Sequence, residues 1–410
     1  MPSRLAAIAA AVLLLLGLGG AANAGPQSTW IASWGTAPAS GVPNTDNGYP
    51  NYSIRNIVHL SLGGTAVRVH LSNAFGRSPL VIGHATVALA QRPTAADAVP
   101  GTLNELTFGH EPTIIIPAGA EAVSDPVPMT VPDEADLLVT TFVPTPSGPV
   151  TYHPAAQQTS FYATDGDHAA DESGASFPLT TAAWHYVTGV DVRAPAARGS
   201  VVTLGDSITD GVRSTPNANR RWPDFLADRL LAQPRSRRMG VLNAGISANR
   251  LLLDGGTPLG GSGVTAGVNA LARLDRDVLS RPGATTLIVV EGINDIQQTP
   301  NQTDPAPIIA ALRQIIERAH ARGFKVVGGT LTPFKGWRVH NETLESVRQS
   351  VNAFIRSGAF DAVADFDAAL ADPEDPLRMW PPYDSGDHLH PSDAGYQAMA
   401  NAIPLSALAH

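Results

Sequence analysis

The sequence predicts two domains in series: an all-β, sandwich-like domain, then a parallel-sheet domain with helices on both faces, a three-layer α/β/α arrangement. Two patterns indicate this. Up to about residue 193, short runs rich in Val, Ile, Thr and aromatic residues are separated by Gly, Pro, Asn and Asp. Beyond about residue 200, continuous apolar runs alternate with segments of helical periodicity. With 410 residues, 43% of them hydrophobic, the chain can bury two cores.

The first domain is predicted from runs in which apolar and polar residues alternate. In Ile54–Leu62 and Thr65–Leu71 the alternation is that of strands with one buried face. Gly63 and Gly64, between these runs, predict a tight hairpin. No long amphipathic helix is expected here. The further predicted strands are Thr86–Ala90, Thr113–Ile116, Leu137–Val143, Thr159–Ala163 and Tyr186–Val192.

A composition break at Ala194–Gly199 predicts a boundary, with a β-domain over residues 25–196 and an α/β domain over residues 197–410. Strands that are apolar throughout and followed by helices form parallel sheets, whose reactive groups lie beyond the carboxyl ends of the strands. The predicted strands are Val201–Leu204, Val241–Ala244, Thr286–Val290, Val326–Thr330 and Ala362–Phe366. The predicted helices are Trp222–Gln233, Val268–Leu279, Pro307–Ala321, Leu344–Ser357 and Ser392–Ile403.

Residues 1–24 have the pattern of a secretory signal peptide. Arg4 precedes the apolar run Ala9–Leu18, which is too short for a stable anchor, and Ala22-Asn23-Ala24 is a small-residue cleavage pattern. We therefore expect a secreted protein, extracellular or periplasmic, with no stable membrane insertion once the signal is removed. A retained N-terminal anchor is the alternative.

Charge and cysteine content exclude several classes of function. The formal net charge of −9, or −10 without Arg4, disfavours nucleic acid and acidic membranes as partners. The chain has no cysteine, so disulfides, thiolate metal sites and a thiol nucleophile are excluded, and covalent catalysis would fall to Ser, Thr, Asp, Glu or Lys. No G-x-G-x-x-G follows the first strand of the second domain. We expect neither a cofactor nor a metal.

Three residues that follow predicted strands are candidates for a reactive site. Ser207 directly follows a buried strand, so a sharp turn would raise its hydroxyl above the sheet and put its N–H at the start of a helix. Gly245 would offer a backbone N–H, and Asn294 a side-chain NH₂, as donors to an oxyanion. Each also has a plain structural interpretation, as a helix cap or a turn residue.

A base and its partner are predicted near the C-terminus. A general base for a serine should be an imidazole oriented by a carboxylate, and Asp387 lies three residues before His390. Pro391 fixes the chain before the last helix. His388 is a rival base. A metal site made by His388, His390, Asp384 and Asp387 is a further alternative, but no other cluster completes its shell.

These motifs resemble the four signature blocks of the SGNH/GDSL hydrolase superfamily. In chain order they are Gly205-Asp206-Ser207, Gly245, Gly292-Ile293-Asn294-Asp295 and Asp387-His388-Leu389-His390-Pro391. The resemblance implies a flavodoxin-like SGNH fold from Gly199 to about Ile403. It also implies that Ser207 is the nucleophile, that the Ser207 N–H, Gly245 and Asn294 form the oxyanion hole, and that Asp387 and His390 complete a triad.

Two shorter runs and the N-terminal segment extend the resemblance. Asn249–Leu252 and Asp275–Leu279 look like runs of the secreted two-domain members, and the segment with Trp34 and Asn73-Ala74-Phe75-Gly76 resembles their β-domain. The Gly-x-Ser-x-Gly elbow is not met, because Thr209 takes the place of its final glycine, and this disfavours an α/β-hydrolase lipase.

We therefore expect a secreted serine esterase that hydrolyses carboxylic esters through an acyl-enzyme. Its expected substrate is a small-molecule or polysaccharide ester, foremost an acetyl or short acyl ester on carbohydrate. The aromatic residues considered for stacking on sugars are Trp222, Trp337, Trp380 and Tyr383, although packing is the commoner role of each. A short-chain lipid or phospholipid esterase and an inactive glycan-binding protein are the alternatives.

Overall fold

The computed structural model describes residues 30–255 and 264–408. The predicted signal peptide lies outside these residues. Residues 30–193 contain strands and one short 3₁₀ turn, as the alternating patterns predict. The strands are β1 Trp30–Gly35, β2 Ser40–Gly41, β3 Tyr52–His59, β4 Val67–Ser72, β5 Leu80–Ile82, β6 His84–Leu89, β7 Asn104–Glu105, β8 Ile114–Ile116, β9 Glu121–Val123, β10 Asp136–Val143, β11 Thr151–His153, β12 Ser160–Ala163, β13 Leu179–Thr181, β14 Trp184–His185 and β15 Val187–Arg193.

These strands form antiparallel sheets around a main apolar core, with two smaller apolar clusters beside it. One sheet has the order β1-β15-β4-β9 and another the order β13-β12-β3-β10-β6-β7, with smaller sheets β14-β11-β2 and β5-β8. Side chains from the two larger sheets, among them Val58, Val69 and Val190, share a core from which water is excluded. The predicted all-β, sandwich-like fold is confirmed.

The predicted hairpin at Gly63 and Gly64 is wrong. β3 pairs with β10 and β12, whereas β4 pairs with β15 and β9, so the connection carries the chain from one sheet to the other. A Cβ at Gly63 would lie 2.4 Å from the Val131 carbonyl oxygen, and one at Gly64 would lie 2.8 Å from that of Arg193. These glycines are required by close backbone approach, which sequence alone does not distinguish from a turn.

The second domain has the predicted parallel sheet, with the strand order β17-β16-β18-β19-β20. This is the doubly wound order of flavodoxin-like folds. Its strands are β16 Ser200–Gly205, β17 Gly240–Gly245, β18 Ala284–Val290, β19 Lys325–Gly329 and β20 Ala362–Ala364. Its helices are α1 Ser207–Asp210, α2 Trp222–Leu231, α3 Ala270–Leu274, α4 Ile293–Gln297, α5 Pro305–His320, α6 Glu342–Phe354, α7 Phe366–Leu370 and α8 Asp393–Ala402.

Where element ends differ from the predictions, local hydrogen bonds account for them. The helix predicted from Val268 begins at Ala270, because the Asn269 side chain caps it by accepting from the Ala272 N–H. β20 ends before Phe366, because Asp365 caps α7. Two helices close with π-helical turns, at Asp275–Leu279 after α3 and at Ile355–Ala359 after α6.

The two domains share a buried interface. Ala32, Ala37 and Ala39, from the first domain, belong to the same apolar cluster as Leu242 of the second. Ser200 Oγ donates to the Ala32 carbonyl at 2.7 Å, and the Val241 N–H donates to Ser61 Oγ at 2.8 Å. The β-domain therefore packs against the edge strand β17 of the parallel sheet. Within the described ranges, no helix has both the length and the apolar character needed to cross a membrane.

Candidate active site

Ser207 is the first residue of α1, directly after β16. Asp206 lies between the strand and the helix and caps the helix, because its Oδ1 accepts from the Ile208 N–H at 2.9 Å. Ser207 is 7% exposed, and its Oγ lies 2.9 Å from His390 Nε2. The turn between a buried strand and a one-turn helix thus presents the hydroxyl at the carboxyl end of the sheet.

The loop before α8 holds a carboxylate against the same histidine. Asp387 Oδ2 lies 2.8 Å from His390 Nδ1, and Asp387 Oδ1 accepts from the N–H groups of Leu389 and His390. Burial alone would raise the pKa of Asp387, but the hydrogen bonds from the His390 ring and backbone outweigh it and hold that pKa well below its usual range. The ionised carboxylate keeps the proton on Nδ1 and leaves Nε2 to accept from Ser207.

The rival histidine has another partner. His388 Nδ1 lies 2.6 Å from Asp384 Oδ2, and its backbone N–H donates to Asp384 Oδ1. Ser207 contacts His390 and not His388. The loop therefore contains two Asp–His pairs, of which only one meets the serine.

Asn294 lies in the short helix that follows β18, and its amide is fixed from both sides. Its Nδ2 donates to the Asn249 carbonyl at 2.9 Å, and its Oδ1 accepts from Gln297 Nε2 at 2.7 Å. Gln297 Oε1 accepts from Trp337 Nε1 at 3.0 Å, and the Trp337 ring meets the His390 ring edge to face at 6.4 Å. The chain Trp337–Gln297–Asn294 thus sets the orientation of the amide, with the second Nδ2 proton left to donate elsewhere.

Sequence reasoning missed Gln297, although a helical signal was present. Gln297 follows Asn294 by three residues on α4, the spacing at which helical side chains meet. Its link to Trp337 spans forty residues and has no sequence signature.

Gly245 has a structural role and an internal hydrogen-bond partner. A Cβ at Gly245 would lie 2.4 Å from the Asp210 nitrogen, so β17 can approach α1 only with glycine here. The Gly245 N–H donates to Asn243 Oδ1 at 2.9 Å instead of facing an open site. In the turn that follows, Ala248 has φ +65°, and its N–H has no acceptor in the part of the chain that the structure describes. Left-handed backbone at a residue with a side chain is strained and is concentrated at functional sites.

Arg273 joins the carboxyl ends of the neighbouring strands β16 and β17. Fully buried, it donates to the carbonyls of Gly205 at 3.0 Å and Ala244 at 2.6 Å and to Asn249 Oδ1 at 2.9 Å. Because Asn249 also accepts from Asn294, Arg273 connects the strand that precedes Ser207 to the candidate donors.

Beneath the serine lie two buried carboxyl groups. Asp206 Oδ2 and both oxygens of Glu291 have no hydrogen-bond partner within the described residues, and Arg273 approaches Glu291 no closer than 4.0 Å. Burial raises the pKa of Asp206 to about 7. Burial and the neighbouring Asp206 raise the pKa of Glu291 well above its usual range. Burial therefore favours the neutral form of the Glu291 carboxyl group.

Replacing Glu291 by Gln is expected to raise the unfolding temperature at pH 8 by roughly 2–4 °C, the shift that about 1 kcal/mol produces in a domain of some 200 residues. Since the Glu291 pKa is higher in the folded than in the unfolded chain, the contribution of Glu291 to wild-type stability falls as pH rises above about 4.5, the ordinary glutamate pKa. Glutamine does not titrate, so the advantage should disappear towards pH 4. Circular dichroism melts at each pH measure this.

Asp365→Asn is the control, because the pKa of Asp365 is shifted in the opposite direction from that of Glu291. Arg356 donates to both Asp365 oxygens, at 2.8 and 2.6 Å, and the Asp365 pKa is lowered. This variant should lose stability at neutral pH and approach wild type in acid. A Glu291→Gln protein whose stability has the same pH dependence as wild type would contradict the raised pKa of Glu291.

The aromatic residues considered for sugar contacts have different positions. Trp222 is fully buried and packs on Phe366, so it has the packing role that was expected to be the commoner one and is not available to stack on a sugar. Trp337 lies beside His390. Trp380 is 38% exposed and meets Tyr383 edge to face, on the segment just before the Asp387 loop.

The parallel sheet and the groups gathered at the carboxyl ends of its strands define an α/β/α hydrolase domain. Residues 203–398 match the model of the GDSL-like Lipase/Acylhydrolase family, and this domain of the chain belongs to that family. The family predicted from the four motifs is confirmed. No curated protein matches the chain.

Solved structures similar to this chain cover about half of it. An alpha/beta hydrolase enzyme from the metagenome of Lake Arreo, Spain, is 20% identical over 52% of this chain and 96% of its own, with a TM-score of 0.39. A GDSL-like lipase from Bacteroides thetaiotaomicron is 18% identical over 51% and 87%, with a TM-score of 0.38. An acetylxylan esterase from Geobacillus stearothermophilus is 19% identical over 50% and 91%, with a TM-score of 0.36.

Proposed function

We propose that the protein is a secreted serine esterase that hydrolyses carboxylic esters through an acyl-enzyme at Ser207. The observation that carries the proposal is the chain of contacts from Ser207 Oγ to His390 Nε2 at 2.9 Å and from His390 Nδ1 to Asp387 at 2.8 Å. A serine, an imidazole and a carboxylate in this order are the groups that nucleophilic acyl transfer requires.

In the first half of the reaction, Ser207 Oγ attacks the ester carbonyl carbon while His390 Nε2 takes its proton. The tetrahedral intermediate collapses when the bond to the alcohol oxygen breaks and His390 returns the proton to the leaving alcohol. In the second half, water attacks the acyl-enzyme, His390 takes a proton from it, and the acid leaves as Ser207 regains its hydrogen. Asp387, ionised throughout, stabilises the imidazolium formed in both halves.

The oxyanion would be held by the Ser207 N–H, the free Nδ2 proton of Asn294 and one further backbone amide. Because the Gly245 N–H is held by Asn243, we propose the Ala248 N–H as that amide. Ala248 precedes Asn249, whose carbonyl binds Asn294, and the Ala248 carbonyl accepts from Gln298 Nε2. The Ala248 N–H has no acceptor among the described residues, which supports this assignment.

Asn294→Ala is expected to lower kcat about 10²- to 10³-fold, since one preorganised donor to the oxyanion is lost. KM should change little, because the donor acts mainly on charge that develops in the transition state. Asn301→Ala, which removes an exposed asparagine just beyond α4, is the control and should retain wild-type kcat. Steady-state hydrolysis of p-nitrophenyl acetate measures both, and an Asn294→Ala protein with unchanged kcat would remove Asn294 from the oxyanion hole.

For the substrate, we propose acetyl or short acyl esters on carbohydrate. Trp337 beside His390 and the exposed Trp380 with Tyr383 support it, because sugar rings present apolar faces that stack on aromatic side chains. Export through the predicted signal peptide fits a polymeric substrate outside the cell.

Two experiments test the proposal. Stoichiometric fluorophosphonate labelling at Ser207 supports the serine enzyme, whereas tight glycan binding without labelling would favour an inactive binder. A panel of acetylated sugars against p-nitrophenyl esters of increasing chain length tests the substrate. Preference for acetylated sugars supports a carbohydrate esterase, and kcat/KM that rises with acyl length would favour a lipid esterase instead.

A further inference from the structure

A histidine of the β-domain reaches the helix that carries the candidate nucleophile. His153, the last residue of β11, places Nε2 2.9 Å from Oδ1 of Asp210, the last residue of α1. The side chains are 2% and 4% exposed. On the other side of the ring, Nδ1 lies 2.8 Å from the Ala37 carbonyl oxygen.

The partners of His153 favour its doubly protonated form. A backbone carbonyl and an ionised carboxylate only accept hydrogen bonds, so each ring nitrogen must carry a proton to satisfy them. Burial alone would lower the pKa of His153, but the charge of Asp210 and the hydrogen bonds to Asp210 and Ala37 outweigh it and raise the pKa above its usual value. The contact is a buried hydrogen bond between a histidine and an aspartate of different domains.

The second carboxylate oxygen of Asp210 binds the turn that follows β17, on the other side of α1. Asp210 Oδ2 accepts from the Ser247 N–H at 2.8 Å and from the Ser247 hydroxyl. Ser247 directly precedes Ala248 in the turn after β17. One carboxylate therefore joins the β-domain, the nucleophile helix and the turn that carries a proposed oxyanion donor.

The helix needs these contacts because it is only one turn long. A single turn is not stable by itself, since its nucleation cost exceeds what so few hydrogen bonds return. Its N-terminal end is fixed by the Asp206 cap and its C-terminal end by Asp210. A carboxylate at a helix C-terminus interacts unfavourably with the helix dipole, so Asp210 depends on the donors around it.

Neighbouring contacts keep the same β-domain segment in place. Arg221 Nη1 donates to the Ala156 carbonyl at 3.2 Å, and the Thr159 N–H donates to Asn217 Oδ1 at 2.6 Å. Residues 153–159 thus rest on the segment between α1 and α2, and His153 does not depend on a single contact for its position.

We infer that His153 is a positioning residue for Ser207, so that the β-domain completes the esterase site instead of only packing against the sheet. The inference rests on the proposed function, because it assigns His153 a part in the reactivity of Ser207. A shift of α1 by a fraction of an ångström would misplace Oγ relative to His390, and attack depends steeply on that geometry.

Two matched variants of the full chain separate the two hydrogen bonds of His153. Gln places its Nε2 near the histidine Nε2, so His153→Gln keeps a donor for Asp210. Asn places its Nδ2 near the histidine Nδ1, so His153→Asn keeps the bond to Ala37 and loses Asp210. Both variants lose the imidazole ring, and thermal melts measure the stability that each variant loses.

The measurements are the rate of fluorophosphonate labelling of Ser207 and the kcat and KM for p-nitrophenyl acetate, at a temperature where circular dichroism shows each variant folded. His153→Asn is expected to slow labelling and kcat at least about 10-fold, with KM within about twofold, because misplaced reacting groups lose rate more than binding. His153→Gln should recover most of the wild-type rate.

Labelling of His153→Asn at the wild-type rate, or equal losses in both variants, would overturn the inference. If His153→Asn does not fold, Asp210→Asn takes its place, with the same expected loss, and unchanged labelling there would also overturn it. A wild-type protein that neither labels at Ser207 nor hydrolyses any ester contradicts the proposed function itself, so the two failures are distinguishable.

Discussion

The Ser207→Ala protein is expected to hydrolyse esters on the order of 10⁴- to 10⁶-fold more slowly than wild type, because the acyl-enzyme cannot form. The side chain is small and nearly buried. Among the described residues its hydroxyl hydrogen-bonds to His390 alone, so the fold should survive and the melting temperature should change by no more than about 2–4 °C, the equivalent of roughly 1 kcal/mol. The measurement is kcat on p-nitrophenyl acetate with protein of equal purity, together with fluorophosphonate labelling.

Ser346→Ala is the matched control for Ser207→Ala. Ser346 is an exposed serine on α6 of the same domain, and its replacement should leave both kcat and labelling at wild-type levels. Activity retained by Ser207→Ala, with Ser346→Ala unchanged, would exclude Ser207 as the nucleophile and with it the proposed mechanism.

Asp387→Asn is expected to lower kcat about 10⁴-fold at neutral pH while the loop keeps its shape. An asparagine can turn its Nδ2 towards His390 Nδ1, which favours the tautomer with the proton on Nε2. That nitrogen then faces Ser207 as a donor and cannot accept its proton. The lowered pKa of Asp387 adds a stability effect, because the carboxylate contributes stability above its unfolded pKa that is lost as pH falls below it. The variant should therefore melt lower than wild type at pH 7, and the gap should narrow in acid.

Asp384→Asn is the matched control, because Asp384 bonds His388 in the same loop. It should retain kcat within about tenfold of wild type, since a substitution that moves the loop slightly costs far less than one that fixes the wrong tautomer. If Asp384→Asn were the more damaging of the two, the pair formed by Asp384 and His388 would be the functional one.

Local pattern was sufficient for most of the fold. The continuous apolar runs form β16–β20, because a strand buried on both faces is apolar throughout. The alternating runs form strands of antiparallel sheets, because a strand buried on one face has apolar residues at every second position. Which strands pair with one another could not be predicted as well from the sequence. Gly63 and Gly64 have a hairpin composition, yet each is required by a backbone more than sixty residues away, and such close approaches have no local signature.

The geometry of the candidate site was likewise predictable from the sequence only in part. Asp387 and His390 are three residues apart, so sequence spacing could place one beside the other. The partner of the Gly245 N–H depends on the local path of the backbone, and the role of Ala248 on its left-handed φ, which no residue preference would assign to alanine.

The sequence by itself determined the class of both domains, the family, and which serine, asparagine, aspartate and histidine to examine, because these follow from periodicity and from motifs within single loops. Only the tertiary structure decided which histidine meets Ser207, that the Gly245 N–H donates to Asn243, and that His153 of the β-domain contacts Asp210 of the helix that begins at Ser207. The physical reason is that a hydrogen bond depends on direction and on distances of about 3 Å. Those quantities are set by the packing of the whole chain.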